Sequence, residues 1–315
     1  MRAALAAALA ALLLTGCASL RGGGPPVVEL TATPFYPQSE YQCGPAALAT
    51  LLGASGIGVT PAELQPEVYL PARRGSLQTE MLAATRQRGR IAHAIAPTLD
   101  ALVQELDAQR PVLVLLNLGV KTWPVWHYAV VIGYEQDRSH LLLRSGTTAR
   151  ERLSLRRFRG AWARAGNWGF VALRPGKLPA DADAARYAGA VADFETVDSA
   201  GALRAYEAGI ARWPAEPLLR LGAANAMLAG GDPRGAERVL VELLEVAPRE
   251  VAARNNYAEL LSQRGCRDAA RAQIDMALAD AQGTPFSAAV AATAQEIDAR
   301  AADAAAQCPP AGRVP

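Results

Sequence analysis

Three alanines, Ala202, Ala236 and Ala270, stand 34 residues apart in turn, and the same interval separates Pro214 from Pro248 and Gly231 from Gly265. A fixed period of this length commits that part of the chain to stacked copies of one small unit, because a single copy cannot bury its own apolar face. Each unit reads as a pair of helices. Past Lys177-Leu178-Pro179 the composition turns to Ala, Leu, Glu and Arg with little β-branching, and Gly and Pro fall where helices end. At this interval the run Ala226-Met227-Leu228-Ala229-Gly230-Gly231-Asp232 aligns with Leu260-Leu261-Ser262-Gln263-Arg264-Gly265-Cys266. Three units fit between about Ala184 and Ala281, the fewest that stack stably, and Ala288 to Ala306 reads as a capping helix.

The chain before that point has no such period. Thr60-Pro61-Ala62-Glu63 carries a complete helix start, with Thr as N-cap, Pro in the first turn and Glu three residues on. Thr98 opens another helix that ends before Arg110-Pro111, and the apolar run Val112 to Leu116 reads as a buried strand. Tyr128 to Tyr134 and Leu141 to Leu143 form a strand pair around the polar turn Glu135-Gln136-Asp137-Arg138. This mixture predicts an α+β domain ahead of an all-α repeat domain. The length of 315 residues agrees, since one domain takes roughly 100 to 200. Composition removes other classes: 51% hydrophobic content excludes disorder, and 32 basic against 30 acidic residues argues against a nucleic-acid binder. Four cysteines are too few for a disulfide-built scaffold.

The first residues run Met1-Arg2, then twelve apolar residues from Ala3 to Leu14, then Thr15-Gly16-Cys17. That run is shorter than the roughly 20 residues needed to span a bilayer, and it reads as a signal peptide. Leu14-Thr15-Gly16-Cys17 resembles the bacterial lipobox. The resemblance implies diacylglycerol on Cys17, a signal peptide over 1–16, a lipidated tether over 17–30 that includes Arg21-Gly22-Gly23-Gly24-Pro25-Pro26, and, with Ala18, the periplasmic face of the outer membrane. The rival is a secreted protein in which Cys17 is incidental.

The residues with chemistry to offer lie in Tyr36 to Leu52. After Cys43 the pattern turns helical, with Pro45 in the first turn, so Cys43 falls at a helix N-terminus. The helix dipole and free N–H groups there predict a depressed thiol pKa and a nucleophilic thiolate. Gly44 is expected to leave room for a substrate carbonyl. Gln38 can set an amide N–H beside the Cys43 backbone N–H, and two such donors make an oxyanion hole. A base must come from His93, His127 or His140. His127 opens the strand Trp126 to Tyr134 and shares a face with Ala129, Val131 and Gly133. His93 and His140 are expected at the surface.

Gln38, Gln42-Cys43-Gly44-Pro45-Ala46-Ala47 and, some eighty residues on, Trp126-His127-Tyr128-Ala129-Val130-Val131-Ile132-Gly133-Tyr134 resemble the papain-like cysteine peptidases of the bacteriocin-leader-processing, double-glycine type. The resemblance covers roughly Thr33 to Leu173 and implies a papain-like fold over 31–176, with Cys43 as nucleophile, His127 as base and Gln38 as oxyanion donor. The period places 180–307 among tetratricopeptide-like repeats, and the whole looks closest to bacterial lipoproteins that join the two. Two departures stand out. The family's Asp after the histidine hairpin is absent: the chain reads Leu142-Leu143-Arg144-Ser145-Gly146, leaving Ser145 or a backbone carbonyl to orient His127. The Gln-to-Cys separation is five where about six is the pattern.

Cys266 and Cys308 either pair in an oxidising periplasm or stay as two free thiols. No cysteine and histidine spacing matches a metal ligand set, and no glycine-rich loop has phosphate-binding spacing, so no cofactor is expected. Arg144, Arg150, Arg152, Arg156, Arg157, Arg159 and Arg164 have only Glu151 nearby in sequence, which makes them a solvated basic face or an attraction for anionic lipid or an acidic substrate. The expectation is a membrane-anchored peptidase acting on a peptide or protein, recruiting a protein partner through its repeats and binding no nucleic acid. The rivals are a degenerate peptide-binding scaffold, favoured by Arg144 in the carboxylate slot, and an acyltransferase or amidase using the same residues.

Overall fold

The computed structural model describes residues 28–38, 42–135, 139–301 and 307–310. The expectations for the signal peptide, Cys17, the tether up to residue 27 and the middle of the polar turn at 136–138 lie outside them, whereas Val28 to Leu30, counted in the tether, belong to the folded domain: the first two pair into the sheet and Leu30 enters the core. Seven strands form one antiparallel sheet in the order β2-β7-β3-β4-β5-β6: β2 is Ile91–Ala94, β3 Val112–Asn117, β4 Trp126–Tyr134, β5 His140–Ser145, β6 Thr148–Ser154 and β7 Gly169–Leu173. The short β1, Val28–Glu29, pairs with the far end of β4, Val28 against Tyr134.

Helix α1, Cys43–Ala54, packs on β4, and every residue from Gly44 to Leu52 is buried. A helix apolar on all sides has to sit in the core, and that fixes its first residue at the sheet edge. Helix α2, Pro61–Val68, starts with the complete capping box at Thr60 and Glu63. Helix α3 is Gln78–Gln87; α4, Leu99–Asp107, is capped by the Thr98 hydroxyl, which accepts from Ala101 N–H; α5 is Leu155–Arg164. The helices and strands read from sequence in this half are therefore present, and the architecture is α+β.

Beyond β7 come α6 (Ala184–Glu195), α7 (Ser199–Arg212), α8 (Pro217–Ala229), α9 (Pro233–Val246), α10 (Val251–Gln263), α11 (Arg267–Ala281) and α12 (Ser287–Ala299). The starts of α7, α9 and α11, at residues 199, 233 and 267, are 34 apart, as are those of α8 and α10, at 217 and 251. Ala202, Ala236 and Ala270 are each fully buried at one level of alternate helices, α7, α9 and α11, where any larger side chain would push the neighbouring helix away. Gly231 and Gly265 turn the chain between helices at φ of 79° and 83°, a conformation that costs residues with a Cβ about 1 kcal/mol or more.

One apolar core runs from the sheet into α6, α7 and α8 through Tyr187, Val191, Phe194, Tyr206 and Leu219. A second cluster fills α9 to α12. His93 lies in this junction rather than at the surface: it is fully buried on β2, and its Nε2 meets Asp181 Oδ1 at 3.2 Å. The short segment around it is strand rather than polar loop, because Ile91 and Ile95 flank it with buried apolar side chains. Glu105, also fully buried, accepts from Ala180 N–H at 2.7 Å and from Arg110. His140 opens β5 half-buried, against Ser139 and Glu135, and is likewise not a free surface residue. Among the described residues no helix is long and apolar enough to cross a membrane.

Candidate active site

A groove of about 940 Å³ opens where the N-terminus of α1 meets the start of β4. Gln38, Cys43 and His127 all line it, with Trp126 and Tyr128 on one side and Arg73 to Gln78 on the other. The structure thus brings the three candidate residues together and leaves His93 and His140 elsewhere.

Cys43 is the first residue of α1, so its backbone N–H has no partner within the helix. Its sulfur is half-buried and engages backbone at Tyr128, the residue after His127. Burial pushes the thiol above its ordinary value, and backbone hydrogen bonds at Tyr128, Gly44 and Cys43 itself oppose this without reversing it. The depressed thiol expected from helix position alone is therefore corrected: the desolvation of a buried sulfur outweighs the dipole. Gly44 is buried against Ser76, whose Oγ would lie 2.1 Å from a Cβ at that position, so the glycine admits the segment that leads into α3.

His127 is lowered below the ordinary histidine value by burial, with the Glu151 carboxylate pulling the other way. Both partners thus rest neutral near pH 7. Its Nε2 lies 3.0 Å from Ser145 Oγ. Register explains the contact: Val130 pairs with Arg144, so Ser145 stands one step on, abreast of Ala129 and on the face that carries His127. With Nε2 engaged by this buried hydroxyl, Nδ1 is the ring nitrogen left to exchange a proton with the thiol.

The arginine next to Ser145 does not occupy the site. Arg144 donates to the carbonyls of Thr31, Thr33 and Ala149, holding the incoming chain five residues before Gln38. Gln38 N–H donates to Gly146 O at 3.0 Å, and its Nε2 donates weakly to Tyr128 O at 3.4 Å. A single turn, Arg144-Ser145-Gly146, therefore fixes both the glutamine loop and the histidine.

Ser76, whose buried Oγ has no partner among the described residues, and the exposed Trp126 also border the groove. The Arg73–Gln78 wall carries no signal in the sequence, because its residues are mostly polar and follow no period. Among the described residues no three His, Cys, Asp or Glu side chains cluster as metal ligands. Cys266 and Cys308, remote from the groove, are joined by a disulfide with Cα atoms 5.4 Å apart.

Nothing among curated proteins matches the chain. Two solved structures align with about half of it. A C39-like peptidase from Bacillus anthracis is 17% identical, with 47% of this chain and 97% of that one covered and a TM-score of 0.39. The peptidase domain of Streptococcus ComA, a bi-functional ABC transporter of a quorum-sensing pathway, is 21% identical, with 45% and 98% covered and the same TM-score of 0.39. Residues 30–169, which hold Gln38, Cys43, His127 and Ser145, match the Peptidase_C39 like family, and this likeness supports cysteine-peptidase chemistry in the sheet half of the chain.

Proposed function

We propose that the protein is a cysteine peptidase in which Cys43 attacks, His127 moves the proton and Gln38 holds the oxyanion. The observation that carries this reading is the meeting of all three at one groove, with His127 oriented by Ser145. As Cys43 Sγ attacks the peptide carbonyl carbon, its proton passes to His127 Nδ1. The oxyanion is met by the Cys43 backbone N–H and by Gln38 Nε2, which gives up its weak bond to Tyr128 O. The imidazolium protonates the leaving amine, leaving a thioester, and water activated by the same imidazole releases the acid. Because thiol and imidazole both rest neutral, His127 acts as a true general base rather than as one half of a preformed ion pair.

In this reading Cys17 carries lipid, residues 17–27 tether the catalytic domain to the outer membrane on its periplasmic side, and the helical pairs of 180–307 act as tetratricopeptide-like repeats that recruit a protein or peptide partner. Arg144 gives the degenerate-scaffold reading no support, since its guanidinium is taken up by backbone carbonyls. The test is a peptide library incubated with the protein and with Cys43→Ala, products being read by mass spectrometry. New carboxyl termini made only by the parent support hydrolysis. Products joined to an added amine identify an acyltransferase, and an unchanged library with both proteins overturns the proposal.

A further inference from the structure

Half of the exposed large apolar side chains of the described residues fall within nine positions of the β3–β4 connection: Leu118, Val120, Trp123, Val125 and Trp126, with Trp123 79% and Val120 60% exposed. Such a cluster is costly in water and, on a protein surface, marks contact with something apolar. It is not a loose loop. Val120 and Trp123 exchange backbone hydrogen bonds at 3.2 Å, Leu118 N–H donates to Val125 O at 2.8 Å, and Asn117 Oδ1 accepts from both Gly119 and Val125 N–H at 3.0 Å. A Cβ on Gly119 would sit 2.3 Å from Trp123 O, so the turn is closed tightly and presents its apolar side chains outward on a fixed tip.

Basic residues collar this tip. Lys121 lies within it, and Leu118 shares a shallow depression with Arg156, Arg157 and Arg164 of α5. Arg164 donates to Asn117 O at 2.8 Å, fastening α5 to the base of the turn. Arg150 and Arg152, by contrast, pair with Glu29 and Glu135, whereas no ion pair forms at Lys121, Arg156, Arg157 or Arg164 among the described residues. The opposite face of α5 is buried through Phe158, Ala161 and Trp162, so its arginines face solvent.

We propose that this tip is a membrane-docking surface for an anionic phospholipid bilayer. A convex apolar point inserts into the headgroup boundary, tryptophan is suited to that depth, and a basic collar complements phosphate headgroups. An apolar peptide partner would leave the charges of Arg156, Arg157 and Arg164 beside Leu118 unmet, whereas anionic headgroups meet them. Val125 and Trp126 also line the groove of Cys43, so docking sets the groove mouth at the lipid surface, where membrane-bound peptides lie. The strand β4 separates the tip from Val28 by eight residues, about 26 Å at ~3.3 Å each. Residues 17 to 28 extend to at most about 36 Å, so on the reading of Cys17 as acylated, the anchor and the tip reach one bilayer.

The test uses the chain from Ala18 onward, which lacks the apolar leader and the acylation site; every core residue lies at Leu30 or beyond, so the core is intact. Co-sedimentation with phosphatidylglycerol-containing vesicles is compared with pure phosphatidylcholine vesicles. Binding to the former only, weakened by salt and reduced at least about tenfold by Val120→Ser with Trp123→Ser and by Arg156→Glu with Arg157→Glu, is the expected result. Thermal melts confirm that these exposed-site variants fold. Failure of the parent to bind, binding unchanged by either pair, or a tip variant that raises KM for soluble peptides while vesicle binding stays the same would each overturn it. Vesicle binding is independent of hydrolysis, so this test and that of the peptidase reading fail separately.

Discussion

In the sheet half, Gln38 reaches Tyr128 across 90 residues of sequence, and His127 is held by a serine on the next strand. In the helical half each helix packs chiefly on the next along the chain, and one interval of 34 residues organises the stack. The first arrangement gathers distant polar groups at one point, which is what catalysis by several side chains requires; the second repeats a local solution and leaves a long surface. The halves still share a core around Tyr187 and Phe194, with His93 and Glu105 hydrogen-bonded to the connecting segment at Asp181 and Ala180, so the sheet that carries the site is packed against the first helices of the stack.

If the division of labour is real, changes in the sheet half alter hydrolysis of small peptides and those in the distal helices alter stability or partner binding but not that hydrolysis. Short of losing the nucleophile itself, the largest of these effects is expected for Gln38→Ala, a loss of about 10² to 10³ in kcat with little change in KM, since the amide acts on the developing oxyanion. Steady-state kinetics on a cleaved peptide checks it. Ser145→Ala is expected to cost about tenfold, because a neutral hydroxyl orients the base without adding charge. The pH profile adds a signed test. A His127 lowered below the ordinary 6.5 is active when neutral, so the acid limb of kcat/KM falls below pH 6.5, and Ser145→Asp, which favours the imidazolium, moves that limb upward.

The smallest effect on hydrolysis is expected for Cys266→Ser with Cys308→Ser: none on kcat, but a loss of about 2 to 4 kcal/mol in stability, as for a bridge closing a loop of 42 residues. Chemical denaturation measures it. The bridge sits where the repeat changes. Asp198 and Asp232 cap α7 and α9 through their side chains, whereas Cys266, 34 residues further on, caps nothing and is tied to Cys308 instead.

That contrast also explains what could be read from sequence. Ala202, Ala236 and Ala270 announce the helical stack because local packing leaves a periodic trace. Cys43 and His127 were legible through the helix start and the strand on which they sit. The burial of His93 was not, because it depends on α6 folding back over β2. Nor was the raised thiol: helix position is local, whereas desolvation depends on the strand and turns that close over the sulfur. Arg144 and Ser145 are adjacent in sequence, and only the register of β4 with β5 decides which of them meets the imidazole.

The central claim is that Cys43 carries the acyl group during peptide cleavage. Intact-mass analysis of the protein quenched in acid during turnover tests it most directly, on a peptide found to be cut in the library. The account predicts a thioester adduct that maps to Cys43, with cleavage lowered by about six orders of magnitude in Cys43→Ala. Cleavage that persists in Cys43→Ala, or an adduct that maps to another residue, would contradict it.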